Sequence, residues 1–426
     1  MTIDSKKLRR LLVSVFLTMS VALTSACGSS STDTTDKTLR IAFGSNGSDG
    51  QKVWDQAAKK FEADNPGWKV EFQVQNDDLY ETVGLQNLLT SNKAPDVYFE
   101  WAGARLVNKV EAGYAADITD LIKSAGLDQQ FAEGAFGTTS IDGKVYMVPF
   151  TSDVTNVIWY NKDVFAAKGL TAPTTWAEFL TLCDTLKKQG ITPLSVGNKD
   201  LWVAGNWIGH LISRSAGESV YDKVMSKQMP MNSPEFVKGM SYLVDLQKGG
   251  YINASANTIP DNEGYSLFLQ GKAAMLPIGS WIIGIAQEEA PDVNLGWFNL
   301  PSIDGGAGSQ TSIMGVTTGY IVNAKSTKQD KAVEFLKDAF SADLVNAWTA
   351  AGFTVVAKSA NAAPLDGVTQ SMVDLLGSGA SIVAPPDTGY DLKMADALNT
   401  AIAQVLDGVK TPQEALDEAQ QKVETQ

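Results

Sequence analysis

Segments of two different periodicities alternate along this chain, and that alternation limits the fold more than any other feature. Thr38 to Phe43 (TLRIAF) has the composition of a short strand. Val53, Trp54, Ala57, Ala58 and Phe61 then recur at helical spacing, and Asn65-Pro66-Gly67 stops the helix. Over 69–75 the period drops to two, with Val70, Phe72 and Val74 on one side and Glu71 and Gln73 on the other. Asp96 to Trp101 (DVYFEW) is a further strand. Strand, helix and strand in quick succession need crossover connections, hence a mainly parallel sheet with helices on its faces. The expected class is α/β.

Later helices are well punctuated. Thr175 and Glu178 have the spacing of a capping box, and Trp176, Phe179, Leu180, Cys183 and Leu186 share a face. Cys183 on that stripe is expected to be a packed thiol. Ser233-Pro234 opens another helix, with Phe236, Val237, Met240, Leu243 and Val244 inward and Gly249-Gly250 as the stop. Gln329 to Phe340 is amphipathic, and Thr411-Pro412 with Glu414 starts the last helix.

The N-terminus reads as an address. Lys6, Lys7, Arg9 and Arg10 precede the uncharged run Leu11 to Leu23, whose 13 residues suit a signal-peptide core and are short for a bilayer span. Thr24, Ser25 and Ala26 lead to Cys27. This order resembles a bacterial lipoprotein signal, which implies cleavage of residues 1–26 and lipid on Cys27; Leu23 stands one place further from the Cys than the strongest form of that motif. Residues 27–37 (CGSSSTDTTDK) are small and polar and read as a flexible tether. The cleaved chain would carry 30 basic against 47 acidic groups. Such a balance argues against nucleic acid as a partner, because phosphate binding needs a basic surface.

Catalytic motifs are scarce. His210 is the one histidine, so a Ser/His/Asp triad could use no other, and its place in a helical run favours a structural role. Two cysteines rule out a disulfide framework and a four-cysteine metal site. No Walker A loop, GxSxG elbow, HExxH or EF-hand loop occurs, and no cofactor is implied.

Aromatic residues say more. Trp101 ends the strand DVYFEW, Trp202 and Trp207 follow the run Ile191 to Val196, and Trp281 follows Ala273 to Ile278 across Gly279-Ser280. In open α/β sheets ligands bind beyond the carboxyl ends of strands. A flat ring there can stack on the C–H face of a sugar, while hydroxyls need polar partners. Asn46, Asn76, Asp77, Asp153, Asn198, Lys199 and Asp200 are in position for that. Trp54, Trp159, Trp176 and Trp297 lie in apolar runs and are expected in the core, and Trp207 is a weaker site candidate than Trp281.

Several segments in this order resemble the lipid-anchored solute-binding proteins of bacterial ABC sugar importers, the group that includes maltose-binding protein. They are APDVYFEWAGARL (94–106), VEAGYAADITDL (110–121), VPFTSDVTNVIWYNKDVF (148–165), PTTWAEF (173–179), ITPLSVGNKDLW (191–202), GKAAMLPIGSW (271–281) and KAVEFLKDAF (331–340). The resemblance implies two lobes, 38–149 plus 303–355 and 150–302 plus 356–426. Crossings would fall near Val148–Ser152, Asn299–Ile303 and Val355–Ser359. It places Trp281 and Trp101 against the sugar, with Trp202 and its polar neighbours, and Asn76 and Asp77, at the cleft. The family's C-terminal site aromatic has no clear counterpart; Tyr390 is the nearest. The implied role is non-catalytic capture of a neutral oligosaccharide by a monomer, then delivery to a two-subunit permease driven by a cytoplasmic ATPase. The same fold with another small solute (a polyol, phosphodiester or peptide), a surface glycoside hydrolase using paired carboxylates, and a structural lipoprotein without a ligand remain the alternatives.

Overall fold

In the computed structural model, which describes residues 36–45, 47–131, 134–358 and 366–425, strands β1 (Thr38–Gly44), β2 (Lys69–Gln75) and β3 (Val97–Trp101) are parallel neighbours in the order β2-β1-β3. Helix α1 (Gly47–Asp64) makes the first crossover and buries Val53, Trp54, Ala57 and Phe61. The stripe is the expected one, except that Ala58 is half-buried. Val74, on the edge strand β2, is 42% exposed. The signal segment, residues 27–35 of the tether with Cys27, and Asn46 lie outside the described residues.

Helix α2 (Ala104–Glu111) follows β3, and after a short helix, Thr119–Ala125, and a small hairpin, Ser140–Ile141 with Lys144–Val145, the chain enters the long strand β4 (Val148–Asn161). Then come α3 (Trp176–Lys188), β5 (Thr192–Leu194), four helices in succession, α4 (Trp202–Ala216), α5 (Glu218–Met225), α6 (Pro234–Gly249) and α7 (Asp261–Leu269), and β6 (Ala273–Ile278), α8 (Ile282–Glu289) and β7 (Leu295–Phe298). The chain returns through β8 (Ile313–Val322), α9 (Gln329–Ala339) and α10 (Ala342–Ala350). It ends with β9 (Ile382–Val383), α11 (Pro386–Gly389), α12 (Leu392–Leu406) and α13 (Pro412–Thr425).

The capping box of α3 forms as the sequence reads, with Thr175 and Glu178 bonded reciprocally. Its buried face is Trp176, Phe179, Leu182, Cys183 and Leu186, so Leu182 takes the place expected for Leu180. Cys183 is fully buried, and burial pushes its thiol pKa up. In α6, Phe236, Met240 and Leu243 are buried with Leu246, while Val237 and Val244 are half-buried. Thr411 and Glu414 bond reciprocally at the start of α13.

One sheet runs β2-β1-β3-β8-β4-β6-β5, with β9 on β8 and β7 on β4. It is parallel within β2-β1-β3 and between β5 and β6. It is antiparallel wherever β4 or β8 takes part, apart from the short parallel pair with β9. The sequence reading of a mainly parallel sheet therefore holds on the flanks and not at the centre. Two long strands pass through the middle in opposite senses, and each serves two cores. Val148 and Phe150 pack with Trp54 and Trp348, whereas Val154, Val157 and Trp159 pack with Trp207 and Phe179. Likewise Tyr320 and Val322 belong to the first core, and Ile313 and Met314 to the second. The change of core in β8 coincides with register shifts at Met314/Gly315 and Thr317/Gly319. Bulges bend and twist a strand, which lets it leave one core for another. Leu300 and Ile303 still pack in the second core, so this change falls later along the chain than Asn299–Ile303. A third cluster, with Ala42, Tyr98, Leu106 and Ile321, covers the other face of the β1-β3-β8 sheet. These residues alternate in sequence with Ile41, Val97 and Val322, as period two requires.

Candidate functional site

The carboxyl ends of β2, β3, β5 and β6 carry most of the candidate side chains. After β2, Asn76 and Asp77 are both exposed, and Asn76 Oδ1 accepts the Leu79 N–H at 3.5 Å. A π-helical stretch, Tyr80–Gly84, follows at once; such insertions are frequent beside functional sites. At the end of β3, Trp101 is half-buried with Phe99 edge-on at 4.8 Å. The Arg105 guanidinium lies 4.4 Å from the centre of its ring. Arg105 is in turn held by the fully buried Glu100 at 2.9 Å. One face of Trp101 is thus already occupied by a cation.

In the loop after β5, Asn198 is fully buried. Its Nδ2 donates to Asn257 Oδ1 at 2.7 Å and its Oδ1 accepts the Ala204 N–H at 2.8 Å. Asn198 therefore braces the loop, whereas Lys199 and Asp200 are exposed on it. The loop runs hard against the start of α7. A Cβ on Gly197 would sit 2.1 Å from the Pro260 carbonyl, and one on Gly264 would sit 2.6 Å from the Gly197 nitrogen. Only glycine allows that approach. Leu201 then takes the left-handed conformation, with φ of 69°, and delivers Trp202 to the first turn of α4. Strain of this kind in a non-glycine residue is concentrated at binding sites.

Trp202 meets Trp281, with ring centres 5.8 Å apart and planes inclined by 50°. Trp281 Nε1 donates to the Tyr265 hydroxyl at 3.2 Å, and that hydroxyl donates to Asp261 Oδ2 at 2.6 Å. Asp261 and Tyr265 are four residues apart on α7 and so share a helix face. Burial pushes the Asp261 carboxyl up, and the charge of Asp200 adds to it. Burial and Asp261 push the Tyr265 phenol well up.

A recess of about 220 Å³ includes Tyr265 and Asp261 among its lining residues, but neither Trp202 nor Trp281. Asn76 and Asp77 line it together with Ile285 and Glu289. Of its nine lining residues four are carboxylates and none is basic, so an anionic ligand would meet like charge. A larger recess of about 320 Å³, lined by Lys162, Ala286, Val293, Leu295 and Asp366 among others, includes none of the candidate residues.

Asp153 stands where β4 changes core. Its carboxylate accepts from Thr151 Oγ1 at 2.5 Å, Thr354 Oγ1 at 2.9 Å and Ser280 Oγ at 3.1 Å. Thr151 also meets Thr318 of β8 at 2.6 Å. Asp153 thereby ties together the strand, the turn before Trp281 and the segment after α10. Tyr390 donates its hydroxyl to Asp222 and stands edge-on to Tyr221 at 5.7 Å, so its polar end is engaged with α5.

Trp54, Trp159, Trp176 and Trp207 are buried, and Trp297 is half-buried with Nε1 bonded to Ser371. His210 is fully buried. Arg214 Nε donates to His210 Nε2 at 3.2 Å, so the ring is neutral and Nδ1 donates to Asn156 Oδ1 at 2.8 Å. Burial, with Arg214 beside it, pushes the His210 pKa well down. Sequence reasoning missed Asp261, Tyr265 and Arg105. The i, i+4 pair in the helix that precedes GKAAM, and a cation four residues past Trp101, were the available signals.

A family model described as bacterial extracellular solute-binding protein matches residues 44–344, and the chain belongs to that family. It is 24% identical over 394 residues to an uncharacterized ABC transporter extracellular-binding protein of Pyrococcus horikoshii, across 89% of this chain and 87% of that one. It is 26% identical over 298 residues to a multiple sugar-binding protein of Streptococcus mutans, across 66% of each chain. The structure of a chitin oligosaccharide binding protein matches it with a TM-score of 0.81 at 23% identity, covering 91% of this chain and 99% of that one. That likeness is one of fold, the two-lobed α/β architecture of periplasmic binding proteins. Membership of that family makes the chain an extracytoplasmic solute-binding protein.

Proposed function

We propose that this protein captures an uncharged oligosaccharide between its two lobes and releases it, chemically unaltered, to a two-subunit permease driven by a cytoplasmic ATPase. In this reading it acts as a monomer, held at the outer face of the cell membrane by lipid on Cys27. The lobes are the bodies built on the two large cores, and the hinge lies at Thr151–Asp153, Gly315–Thr318 and Thr354. The observation that carries the reading is the Trp202–Trp281 pair, tied through the Tyr265 hydroxyl to a recess that Asn76, Asp77 and Asp261 also line. Rings supply an apolar face for sugar C–H groups, and acceptor-rich walls suit hydroxyls. The acidic lining disfavours phosphodiesters and acidic sugars.

A ligand closes the lobes only by its extra affinity for the closed state. The test is a thermal-shift panel of mono- and oligosaccharides, polyols, phosphodiesters and peptides on the full mature chain. A neutral oligosaccharide at one hundred times its Kd stabilises by about 2.7 kcal/mol and must raise the Tm. A shift from a phosphodiester or peptide and from no sugar contradicts the reading. So does release of cleaved product from a labelled oligosaccharide.

A further inference from the structure

We infer that Tyr265, held by Asp261, is a positioning residue that fixes the Trp281 indole before ligand arrives. The inference rests on the sugar-binding reading and names what sets the stacking surface. Tyr265 is 5% exposed, so its hydroxyl has few partners to choose from. It accepts the Trp281 Nε1–H and donates its own O–H to Asp261. Asp261 is itself fixed, since its Oδ1 accepts the Asn262 N–H at 2.7 Å. The indole is confined on two further sides. A Cβ on Gly279 would lie 2.0–2.5 Å from its ring carbons, and Trp202 stands 5.8 Å away.

Two consequences follow from the donor count. The indole N–H is spent inside the protein, so Trp281 offers a ligand only its apolar surface. Its ring plane is set in the unliganded protein, so stacking loses little side-chain freedom on binding. Tyr265 thus acts through Trp281. It does so from α7, the helix that also lends Asp261 to the recess that Asp77 lines.

The test uses the mature chain labelled with nitrogen-15, in which Trp281→Phe identifies the Trp281 indole resonance. Tyr265→Phe keeps the ring and removes only the hydroxyl. The expected result is an upfield shift of the Trp281 indole proton and at least tenfold faster exchange with water. Asp261→Ala, which frees the Tyr265 hydroxyl, should move the same resonance in the same direction. Calorimetry with the tightest sugar then completes a cycle. Tyr265→Phe should weaken binding about tenfold in the wild-type background and less than twofold in the Trp281→Phe background. An indole resonance unchanged by Tyr265→Phe overturns the inference. Equal losses in both backgrounds overturn it as well, because Tyr265 would then act independently of Trp281. If no sugar binds the wild type, the proposed function fails, while the resonance still decides whether Tyr265 sets the indole.

Discussion

Replacing Trp281 by alanine should remove the largest single contribution to sugar binding without unsettling the fold. A buried Trp covers 150–250 Å², and one face is roughly half of that, about 100 Å². At about 25 cal/mol/Å² the lost contact is worth about 2.5 kcal/mol, a weakening of about 70-fold. Little of the change should appear as instability. The ring is only half-buried in the unliganded protein. Its hydrogen-bond partner Tyr265 keeps Asp261 as an acceptor, so no buried donor is orphaned. Titration calorimetry with the tightest sugar of the panel reads the affinity, and a thermal melt without sugar reads the fold. A loss below threefold, in protein with an unchanged melt, would refute the assignment of Trp281 as a stacking surface. It would also leave the pairing with Trp202 without a purpose in binding.

Three other perturbations separate local roles. Gly264→Ala should destabilise by about 1–3 kcal/mol in denaturant unfolding and weaken sugar binding, because the new methyl would collide with the Gly197 backbone and push α7 away. An unchanged midpoint would contradict the close packing described. Burial pushes the Asp387 carboxyl up to about 6, although Arg105 opposes it. Its folded pKa lies above its ordinary 3.8, so its stabilising effect is full below that value and is lost as pH rises through about 6. Each tenfold change in proton affinity corresponds to about 1.4 kcal/mol, so the effect amounts to at most about 3 kcal/mol. The unfolding free energy of wild type minus Asp387→Asn should fall across that window, and a flat difference would contradict it. Cys27→Ala should move the protein from the membrane fraction to the soluble fraction on cell fractionation, and retention in membranes would contradict the lipid anchor.

The sequence and the structure agree where local chemistry decides. The strands β1 to β3 and helix α1 were legible because periods of two and of 3.6 are written in nearest neighbours. The capping box at Thr175 was legible because a few adjacent residues suffice to make it. The antiparallel centre of the sheet was not legible. It depends on β4 and β8 meeting across the whole stretch of chain from Asn161 to Ile313, and no local pattern in either strand states its partner. At the site, the end-of-strand rule brought Trp202 and Trp281 onto the list, and the fold brings their rings together. It could not foresee that Arg105 lies over Trp101, or that the Asn198 amide turns inward to brace its own loop. Such facts turn on side-chain direction. Tyr265 escaped notice because an amphipathic helix with a tyrosine on its inner face looks like any core helix until the indole beside it is seen.

Capture by closure requires one ligand to touch both lobes at once. Small-angle scattering from the mature chain, with and without a saturating amount of its tightest sugar, tests that claim most directly. Closure around the sugar predicts a smaller radius of gyration in the liganded protein, reversed when the sugar is dialysed away. A radius unchanged at proven saturation would contradict it and would confine the ligand to one lobe.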